Sequence, residues 1–220
     1  METNIKEIFA SIQGEGPYIG YKQLFVRFCG CNLNCNYCDT EFGASESKRY
    51  SAEELANIIK ENLDCHSVSL TGGEPLLNVK FLKEFLPKCE LPIYLETNGT
   101  LYGELAEVID FITYVSADIK LPSCTGLKPL WAEHDKFFNI ASKKNLFAKV
   151  VFGKDVTDDE IKHACELCKK YDIELILQPK MNGIIPEVKS DFMEKVLNEA
   201  LKYYKKVRLI PQVHKFIDVQ

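Results

Sequence analysis

From Gln23 onward the chain alternates short apolar runs with amphipathic helical patterns, and this alternation limits the possible folds more than any other feature. Repeated strand–helix units of this kind predict a parallel sheet flanked by helices. Roughly six such units are too few to close an eight-stranded barrel, which usually takes about 250 residues. We therefore predict an α/β fold, a partial, open (β/α)6 barrel. Because we find no linker, internal repeat or low-complexity segment, we expect residues 1–220 to form one domain.

The apolar runs define the predicted strands, which are 24–29, 67–70, 93–96, 114–120, 146–152, 173–177 and 207–210. The predicted helices are 51–62, 79–86, 157–171 and 190–204. Two of them open on a capping box, in which a Ser or Thr is followed three residues later by Glu: Ser51 with Glu54, and Thr157 with Glu160.

The unusual motifs of the chain all follow predicted strands. They are the cysteines after the first strand, Thr71-Gly72-Gly73-Glu74-Pro75 after the second, Glu96-Thr97-Asn98-Gly99-Thr100 after the third, Asp118-Ile119-Lys120 at the end of the fourth and Gln178-Pro179 after the sixth. In barrels of this type the loops at the carboxyl ends of the strands build the active site. We therefore expect these motifs to meet in one site.

Three cysteines, Cys31, Cys35 and Cys38, have the spacing C-x3-C-x2-C. Three thiolates can hold three irons of a [4Fe-4S] cube, which leaves the fourth iron for substrate or cofactor. The alternative is a structural zinc site, which needs four ligands and usually two ligand pairs. Because no second pair lies close enough to complete such a site, the spacing favours an iron–sulfur cluster with an open position.

Composition narrows the class of partner. The formal net charge of −5 disfavours direct nucleic-acid binding, so we expect a small-molecule substrate. Nine cysteines, an odd number, argue against a secreted disulfide framework. The amino-terminal residues lack a targeting pattern and no apolar run approaches membrane-spanning length, so we expect a cytoplasmic protein without membrane contact.

The cysteine triplet and the Gly-Gly-Glu segment together resemble the radical S-adenosylmethionine superfamily. In that superfamily the unique iron binds the methionine part of S-adenosylmethionine (SAM), and the reduced cluster cleaves SAM to a 5′-deoxyadenosyl radical. The resemblance implies that Cys31, Cys35 and Cys38 bind the cluster. It also implies a set of SAM-binding residues: Tyr37, Gly72, Gly73, Glu74, Asn98, Ser116, Asp118, Lys120 and Gln178.

Further motifs extend the resemblance over nearly the whole chain. They are Ser11-Ile12-Gln13-Gly14-Glu15-Gly16, Phe25-Val26-Arg27, Cys38-Asp39-Thr40, the Glu-Thr-Asn-Gly-Thr segment and Pro211-Gln212-Val213-His214-Lys215. This combination is similar to the family of 7-carboxy-7-deazaguanine synthase and its relatives. The residues implied to bind a deazapurine or pterin-like substrate are Ile12, Gln13, Gly14, Glu15, Arg27 and Thr71. Among the site residues, Glu15, Arg27 and His214 are the catalytic candidates.

Two of these roles also make physical sense. The planar guanidinium of Arg27 suits a carboxylate or a heteroatom edge, although an ordinary paired arginine is the alternative. Thr40 is implied to bind a magnesium ion, which prefers hard oxygen ligands.

Several features fit less directly. The family usually has Ser-Pro-Lys at the end of the fourth strand, where this chain has Ser116-Ala117-Asp118. Lys48-Arg49 could contact a substrate phosphate, but a solvated basic pair is favoured. The segment at His214-Lys215 either closes over the site or forms an exposed tail.

Cys165 and Cys168 share one helix face, and we expect them to be packing residues rather than ligands of a second cluster.

Three activities compete. The synthase would convert 6-carboxy-5,6,7,8-tetrahydropterin to 7-carboxy-7-deazaguanine. A queuine lyase of the same family would release queuine from queuosine or its 5′-phosphate by radical attack on the ribose. The motifs alone do not separate these two activities, and the overall resemblance of the chain, including the altered fourth-strand segment, makes the lyase the favoured expectation. A glycyl-radical-enzyme activase shares some motifs, but the Ser-Ile-Gln-Gly-Glu-Gly segment argues against it. Each would need a flavodoxin-like or other reductant, and a homodimer is a further expectation.

Overall fold

The computed structural model describes residues 1–38 and 47–219. The strands within these ranges are β1 (Glu2–Ile12), β2 (Lys22–Phe28), β3 (Lys48–Ser51), β4 (Ser67–Gly72), β5 (Ile93–Thr97), β6 (Tyr114–Asp118), β7 (Asn145–Phe152), β8 (Glu174–Pro179), β9 (Met181–Asn182), β10 (Ile185–Pro186) and β11 (Val207–Leu209). Nine of these strands form one sheet in the order β11-β8-β7-β6-β5-β4-β2-β1-β3, while β9 and β10 pair as a separate hairpin.

The parallel part of the sheet confirms the predicted fold. Each strand pairs in parallel with its neighbours along the sheet order β2-β4-β5-β6-β7-β8-β11. Within the described residues the sheet stays open instead of closing into a barrel. All seven predicted strands are present, each within two residues of its predicted ends.

The prediction was wrong at one edge of the sheet, where β1 and β3 add two antiparallel strands. β1 was missed because it precedes the alternating units, which start at Gln23, and because it mixes charged with apolar residues as a half-exposed strand does. Its pairing with β2 matters for the site, because it places the loop after Ile12 beside the parallel strands.

The helices of the described residues are α1 (Ala52–Lys60), α2 (Val79–Phe85), α3 (Tyr102–Val108), α4 (Pro122–Thr125), α5 (Trp131–Ala141), α6 (Asp158–Lys170), α7 (Ser190–Tyr203) and α8 (His214–Ile217). Those that bury residues in the main core, α1 to α3 and α5 to α7, cover one face of the sheet. Both predicted capping boxes are confirmed, at Ser51 and Thr157. The helices α3, α4, α5 and α8 were not predicted. No helix of the described ranges is long and apolar enough to cross a bilayer.

The two faces of the parallel sheet carry different side chains. Residues such as Val26, Leu70 and Leu95 point to the helices and are fully buried in the main core. On the opposite face, the strands β5 to β8 place an aromatic or apolar residue before a polar one; β7, for example, presents Phe147 and then Lys149, whereas β4 carries polar residues along its whole length. Because alternate residues of a strand share a face, this pattern places a polar layer at the carboxyl ends above an aromatic base.

Cys165 and Cys168 lie in the main core, where α6 packs against α7. Both side chains are fully buried, and Cys165 Sγ lies 3.6 Å from the carbonyl oxygen of Ala200. Their burial agrees with the expectation that they are packing residues.

Candidate active site

A cavity of about 440 Å³ lies above the polar layer, at the carboxyl ends of the parallel strands. This volume is within the range of small-molecule sites. Many of the residues implied by the resemblance line it: Glu15, Arg27, Cys31, Cys35, Tyr37, Cys38, Thr71, Gly72, Gly73, Asn98, Asp118, Lys120 and Gln178. Lys149, Glu96, Lys215 and Gln212 line it as well.

The three cysteines on the loop after β2 are all free thiols and all line this cavity. Within residues 1–38 and 47–219, no group of three or more His, Cys, Asp or Glu side chains is arranged to hold a single metal ion. Three thiols along one wall, beside open space, are instead the donor set that a [4Fe-4S] cluster with an open iron requires.

The glycines of the Gly-Gly-Glu segment allow β4 to approach the beginning of the cysteine loop. A Cβ on Gly73 would lie 1.7 Å from the carbonyl oxygen of Gly30, and Gly72 has a φ of +112°. The nitrogen of Glu74 also donates a 2.8 Å hydrogen bond to Gly30. The resemblance assigns Gly72 and Gly73 to SAM; in the structure, these glycines permit a close approach of two backbone segments.

Glu74 itself is fully buried, and its carboxylate binds groups of the protein. It accepts hydrogen bonds from Thr97 Oγ1 at 2.9 Å and from the backbone nitrogen of Asn98 at 2.8 Å. Burial raises the pKa of Glu74 to about 7, although these hydrogen bonds act to lower it. Asn98 in turn lies 3.8 Å from Cys31 Sγ through its Nδ2. Glu74 therefore fixes the loop after β5, which contacts the cysteine loop.

The far side of the cysteine loop is held by α4 and by the end of β6. Asn36 donates a 2.9 Å backbone hydrogen bond to Thr125, and a Cβ on Gly126 would lie 2.3 Å from the Asn36 side chain. Lys120 Nζ donates to Tyr37 at 3.0 Å and to Asp118 at 2.8 Å. Burial raises the pKa of Tyr37 to about 12, so the phenol stays protonated beside this ammonium.

A chain of alternating charges crosses the floor of the cavity. The Lys149 ammonium pairs with Glu15 and lies 3.4 Å from Asp118 Oδ1. Burial would raise the pKa of Glu15, but Lys149 and a 2.7 Å hydrogen bond from Gln212 bring it down to about 2. Burial would likewise lower the pKa of Lys149, but Asp118 and Glu15 raise it well above its ordinary value.

Glu96 forms a second anionic point on the floor. Its carboxylate accepts hydrogen bonds from Gln13 Nε2 at 3.0 Å, Ser69 Oγ at 3.1 Å and Thr71 Oγ1 at 3.1 Å. Gln13 is buried and its Oε1 accepts from the nitrogen of Glu15 at 2.9 Å. Gln13 therefore holds two acidic residues in place.

Arg27 lines the cavity while it pairs with β1. Its Nε donates to Glu7 Oε1 at 2.5 Å, and its guanidinium carbon lies 5.9 Å from the centre of the Phe9 ring. Arg27 is thus a paired arginine, as the alternative interpretation expected, but only through the Nε edge of its guanidinium.

The carboxyl-terminal segment packs against the loop after β1. The nitrogen of Val213 donates a 2.8 Å hydrogen bond to the carbonyl of Gly14, and a Cβ on Gly14 would lie 2.5 Å from His214. His214 is half-buried, and burial lowers its pKa. The segment therefore closes over one side of the site and is not an exposed tail.

Gln13, Gly14, Glu74 and His214, described above, do not themselves line the cavity. Further residues that we singled out lie away from it or outside the described ranges. Ile12 is 37% exposed at the end of β1. Ser116 is buried one layer below the cavity, hydrogen-bonded to Tyr94. Arg49 pairs with Glu2 at 3.1 Å on the edge of the sheet, as a solvated basic residue does. Thr40 lies outside the described residues.

Gln178 has a buried side-chain oxygen without a hydrogen-bond partner in the described structure. That atom is Oε1, and the side chain is 3% exposed and lines the cavity. A buried acceptor without a partner is costly, so this atom suits a donor group of a bound ligand. The site thus fits a cluster on the cysteine side and a polar cofactor on the β8 side.

Sequence reasoning missed Lys149, Glu96 and Gln212. The signal for Lys149 was present, because a lysine in the middle of an apolar strand is as unusual as Arg27, which was singled out. Glu96 belongs to a motif that was noted but was given no role, and Gln212 contacts Glu15 across 197 residues of sequence, which no local pattern reveals.

Comparison with known proteins supplies the family. Residues 25–194 match the model of the Radical SAM superfamily. The chain is 38% identical to a 7-carboxy-7-deazaguanine synthase of Geobacter sulfurreducens, over 98% of this chain and 97% of that protein. It is 35% identical to the protein of that name from Archaeoglobus fulgidus, over the whole of both chains.

Solved structures agree on the fold. QueE from Escherichia coli superposes with a TM-score of 0.68 at 20% identity, covering 97% of this chain and 95% of that one. The methylornithine synthase PylB has a TM-score of 0.52 at 12% identity, over 83% of this chain and 63% of that one.

Proposed function

The chain belongs to the radical SAM superfamily and to its 7-carboxy-7-deazaguanine synthase family, and from that premise we propose that it converts 6-carboxy-5,6,7,8-tetrahydropterin to 7-carboxy-7-deazaguanine. It is a radical SAM enzyme of 7-deazaguanine metabolism; the specific ring-contracting carbon–nitrogen lyase reaction is the proposal. The observation that carries it is the full-length similarity to proteins of that name from two organisms.

The comparisons do not support the queuine lyase activity that the sequence analysis favoured, because the full-length relatives are named 7-carboxy-7-deazaguanine synthase. The preference for the lyase included the altered segment at the end of the fourth strand, where Asp118 stands. In the structure Asp118 is bound by Lys120 at 2.8 Å and lies 3.4 Å from Lys149, so the change is explained by partners within the chain. It does not call for a different substrate.

Superfamily membership implies a [4Fe-4S] cluster and SAM, which when bound together supply a 5′-deoxyadenosyl radical that abstracts hydrogen from the substrate. We propose that Cys31, Cys35 and Cys38 hold the cluster and that Gln178 Oε1 accepts a hydrogen bond from SAM. Tyr37 and Lys120 cover the cysteine side of the pocket. Magnesium bound by Thr40, a flavodoxin-like reductant and a homodimer stay predictions.

The floor of the cavity suits a flat, polar bicycle with an amino-pyrimidinone edge and a carboxylate. We propose that Glu96 and the ionised Glu15 accept hydrogen bonds from the N–H groups of that edge. The guanidinium of Arg27, whose Nε is held by Glu7, then faces the substrate carboxylate. Lys149 keeps Glu15 charged, so that Glu15 acts as an acceptor and not as a donor.

The proposal is tested by anaerobic turnover. The cluster is reconstituted and reduced, and the enzyme is supplied with SAM and either 6-carboxy-tetrahydropterin or queuosine 5′-phosphate. We expect 7-carboxy-7-deazaguanine and 5′-deoxyadenosine from the first substrate and no queuine from the second. Queuine release, with no product from the tetrahydropterin, would overturn the proposal in favour of the lyase.

A further inference from the structure

His134 is fully buried in α5, and its imidazole contacts the main chain of two active-site loops. Nδ1 lies 3.0 Å from the carbonyl oxygen of Gly99, and Nε2 lies 3.1 Å from the backbone nitrogen of Lys120. Since a carbonyl only accepts and a backbone N–H only donates, the ring is neutral with its proton on Nδ1. Burial also lowers the pKa of His134 to about 4, which agrees with a neutral ring.

The first of these loops contacts the beginning of the cysteine segment. Gly99 follows Asn98, whose Nδ2 donates to Asn32 Oδ1 at 2.7 Å and lies 3.8 Å from Cys31 Sγ. Gly99 has a φ of +67°, and a Cβ there would lie 3.1 Å from His134 Nδ1. The loop after β5 is therefore shaped to receive the imidazole.

The second loop contacts the other end of the same segment. Lys120, whose nitrogen donates to His134, also donates from Nζ to the Tyr37 hydroxyl at 3.0 Å. Tyr37 stands between Cys35 and Cys38. One buried side chain thus joins the two supports that hold the cysteine segment at its two ends.

We propose that His134 is a positioning residue that sets the spacing between the Asn98 loop and Lys120, and so holds the cysteine segment in the geometry that binds the cluster and SAM. It touches neither the cavity nor the cysteines and acts only through these two loops. The inference rests on membership of the radical SAM superfamily and not on the identity of the substrate. Its failure is therefore distinguishable from failure of the proposed synthase activity.

Three variants separate the two hydrogen bonds. His134→Gln keeps an acceptor near the position of Nε2 and loses the donor to Gly99, whereas His134→Asn keeps a donor near Nδ1 and loses the acceptor for Lys120. His134→Phe keeps the ring shape and loses both. Phe137→Leu is the control, because Phe137 is fully buried on the same helix and its change affects packing alone.

The first measurement uses the cluster-free protein, in which hydrogen exchange of the Lys120 amide reports its bond to His134 Nε2 directly. We expect the Lys120 amide to exchange about tenfold faster or more in His134→Asn and His134→Phe, and to stay protected in His134→Gln and in the control.

The second measurement uses the reconstituted protein. We expect His134→Phe to weaken SAM affinity about tenfold or more and to alter the change that SAM produces in the electron paramagnetic resonance spectrum of the reduced cluster, with both single-bond variants intermediate. The control should keep the wild-type spectrum and affinity.

The proposal is overturned if His134→Phe matches Phe137→Leu in iron content, spectrum and SAM affinity. It is also overturned if the Lys120 amide stays protected in His134→Asn. Should His134→Phe fail to fold, the comparison of His134→Asn with His134→Gln decides the question by the same two measurements.

Discussion

The Lys149 ammonium lies 3.4 Å from Asp118 Oδ1 while it also donates a hydrogen bond to Glu15. Glu15 belongs to the loop that the family resemblance gives to the substrate, and Asp118 ends the strand that it gives to SAM. A single buried cation therefore joins the side of the cavity proposed for the substrate to the side proposed for SAM, and its removal should affect both carboxylates.

Replacement of Lys149 by Met should make substrate binding depend on pH. In the wild type Glu15 has a pKa of about 2 and is ionised at every working pH. Without the ammonium, burial acts on Glu15 with less opposition, so its pKa rises and the protonated fraction grows as the pH falls. Asp118, Glu96 and His214 remain as the other titratable neighbours, and burial lowers the pKa of His214. We expect the variant's KM for the tetrahydropterin to rise as the pH is lowered from about 8 to 6.

The matched control for this variant is Lys206→Met, which removes an exposed lysine paired with Asp172 at 2.7 Å. Its KM should follow the wild-type pH profile. An unchanged profile in Lys149→Met would show that Lys149 does not keep Glu15 charged.

Replacement of Gly73 by Ala should abolish cluster binding. The added Cβ would lie 1.7 Å from the carbonyl oxygen of Gly30, a backbone atom that cannot move without displacing the cysteine loop. We expect a loss of stability of about 3 kcal/mol and little iron after reconstitution. Gly103→Ala is the control: Gly103 lies in α3 with no atom within 4 Å of an added Cβ, and this change should keep iron and slightly raise stability. Normal iron content in Gly73→Ala would contradict the role of the glycines.

Replacement of Gln178 by Leu should separate stability from cofactor binding. The change removes a buried acceptor that has no partner within the described residues, so the free energy of unfolding of the cofactor-free protein should change by no more than about 1 kcal/mol. SAM affinity, measured by equilibrium dialysis, should fall about tenfold because the ligand loses its acceptor. Wild-type affinity in this variant would place SAM elsewhere in the cavity.

Acid should destabilise the protein through His134. The pKa of this residue is about 4 in the folded protein and 6.5 ordinarily, so the unfolded chain binds the proton first as the pH falls. The neutral ring makes its full contribution to the free energy of unfolding above pH 6.5. This contribution is lost between about pH 6.5 and 4, by about 3 kcal/mol in total. Denaturant titrations of the wild type and His134→Gln across this window should show a smaller pH dependence in the variant. Equal slopes would contradict the assignment of a buried neutral imidazole.

The parallel core of the fold could be predicted from sequence because each of its strands is a short apolar run with a helix or turn after it. β1 could not be found in this way, since a strand with one half-exposed face mixes Glu, Lys and Ser with its apolar residues. The helix α5 was missed because its apolar residues are interrupted by Glu133, His134 and Asp135, and only the tertiary structure shows that one of these is buried.

The site was predictable where local sequence carries the chemistry, as in the cysteine triplet. It was not predictable where one residue acts through another. Glu74 and Gln13 belong to motifs, yet their side chains hold Asn98 and Glu96 in place within the protein. Such roles depend on which face of a strand or loop a side chain occupies, and a motif does not specify that.

The most direct test of the proposed synthase activity is a competition in one anaerobic reaction. The reduced enzyme is given SAM with equal concentrations of 6-carboxy-5,6,7,8-tetrahydropterin and queuosine 5′-phosphate, and the products are identified by mass spectrometry. The synthase assignment predicts 7-carboxy-7-deazaguanine without queuine. Queuine without 7-carboxy-7-deazaguanine would contradict it.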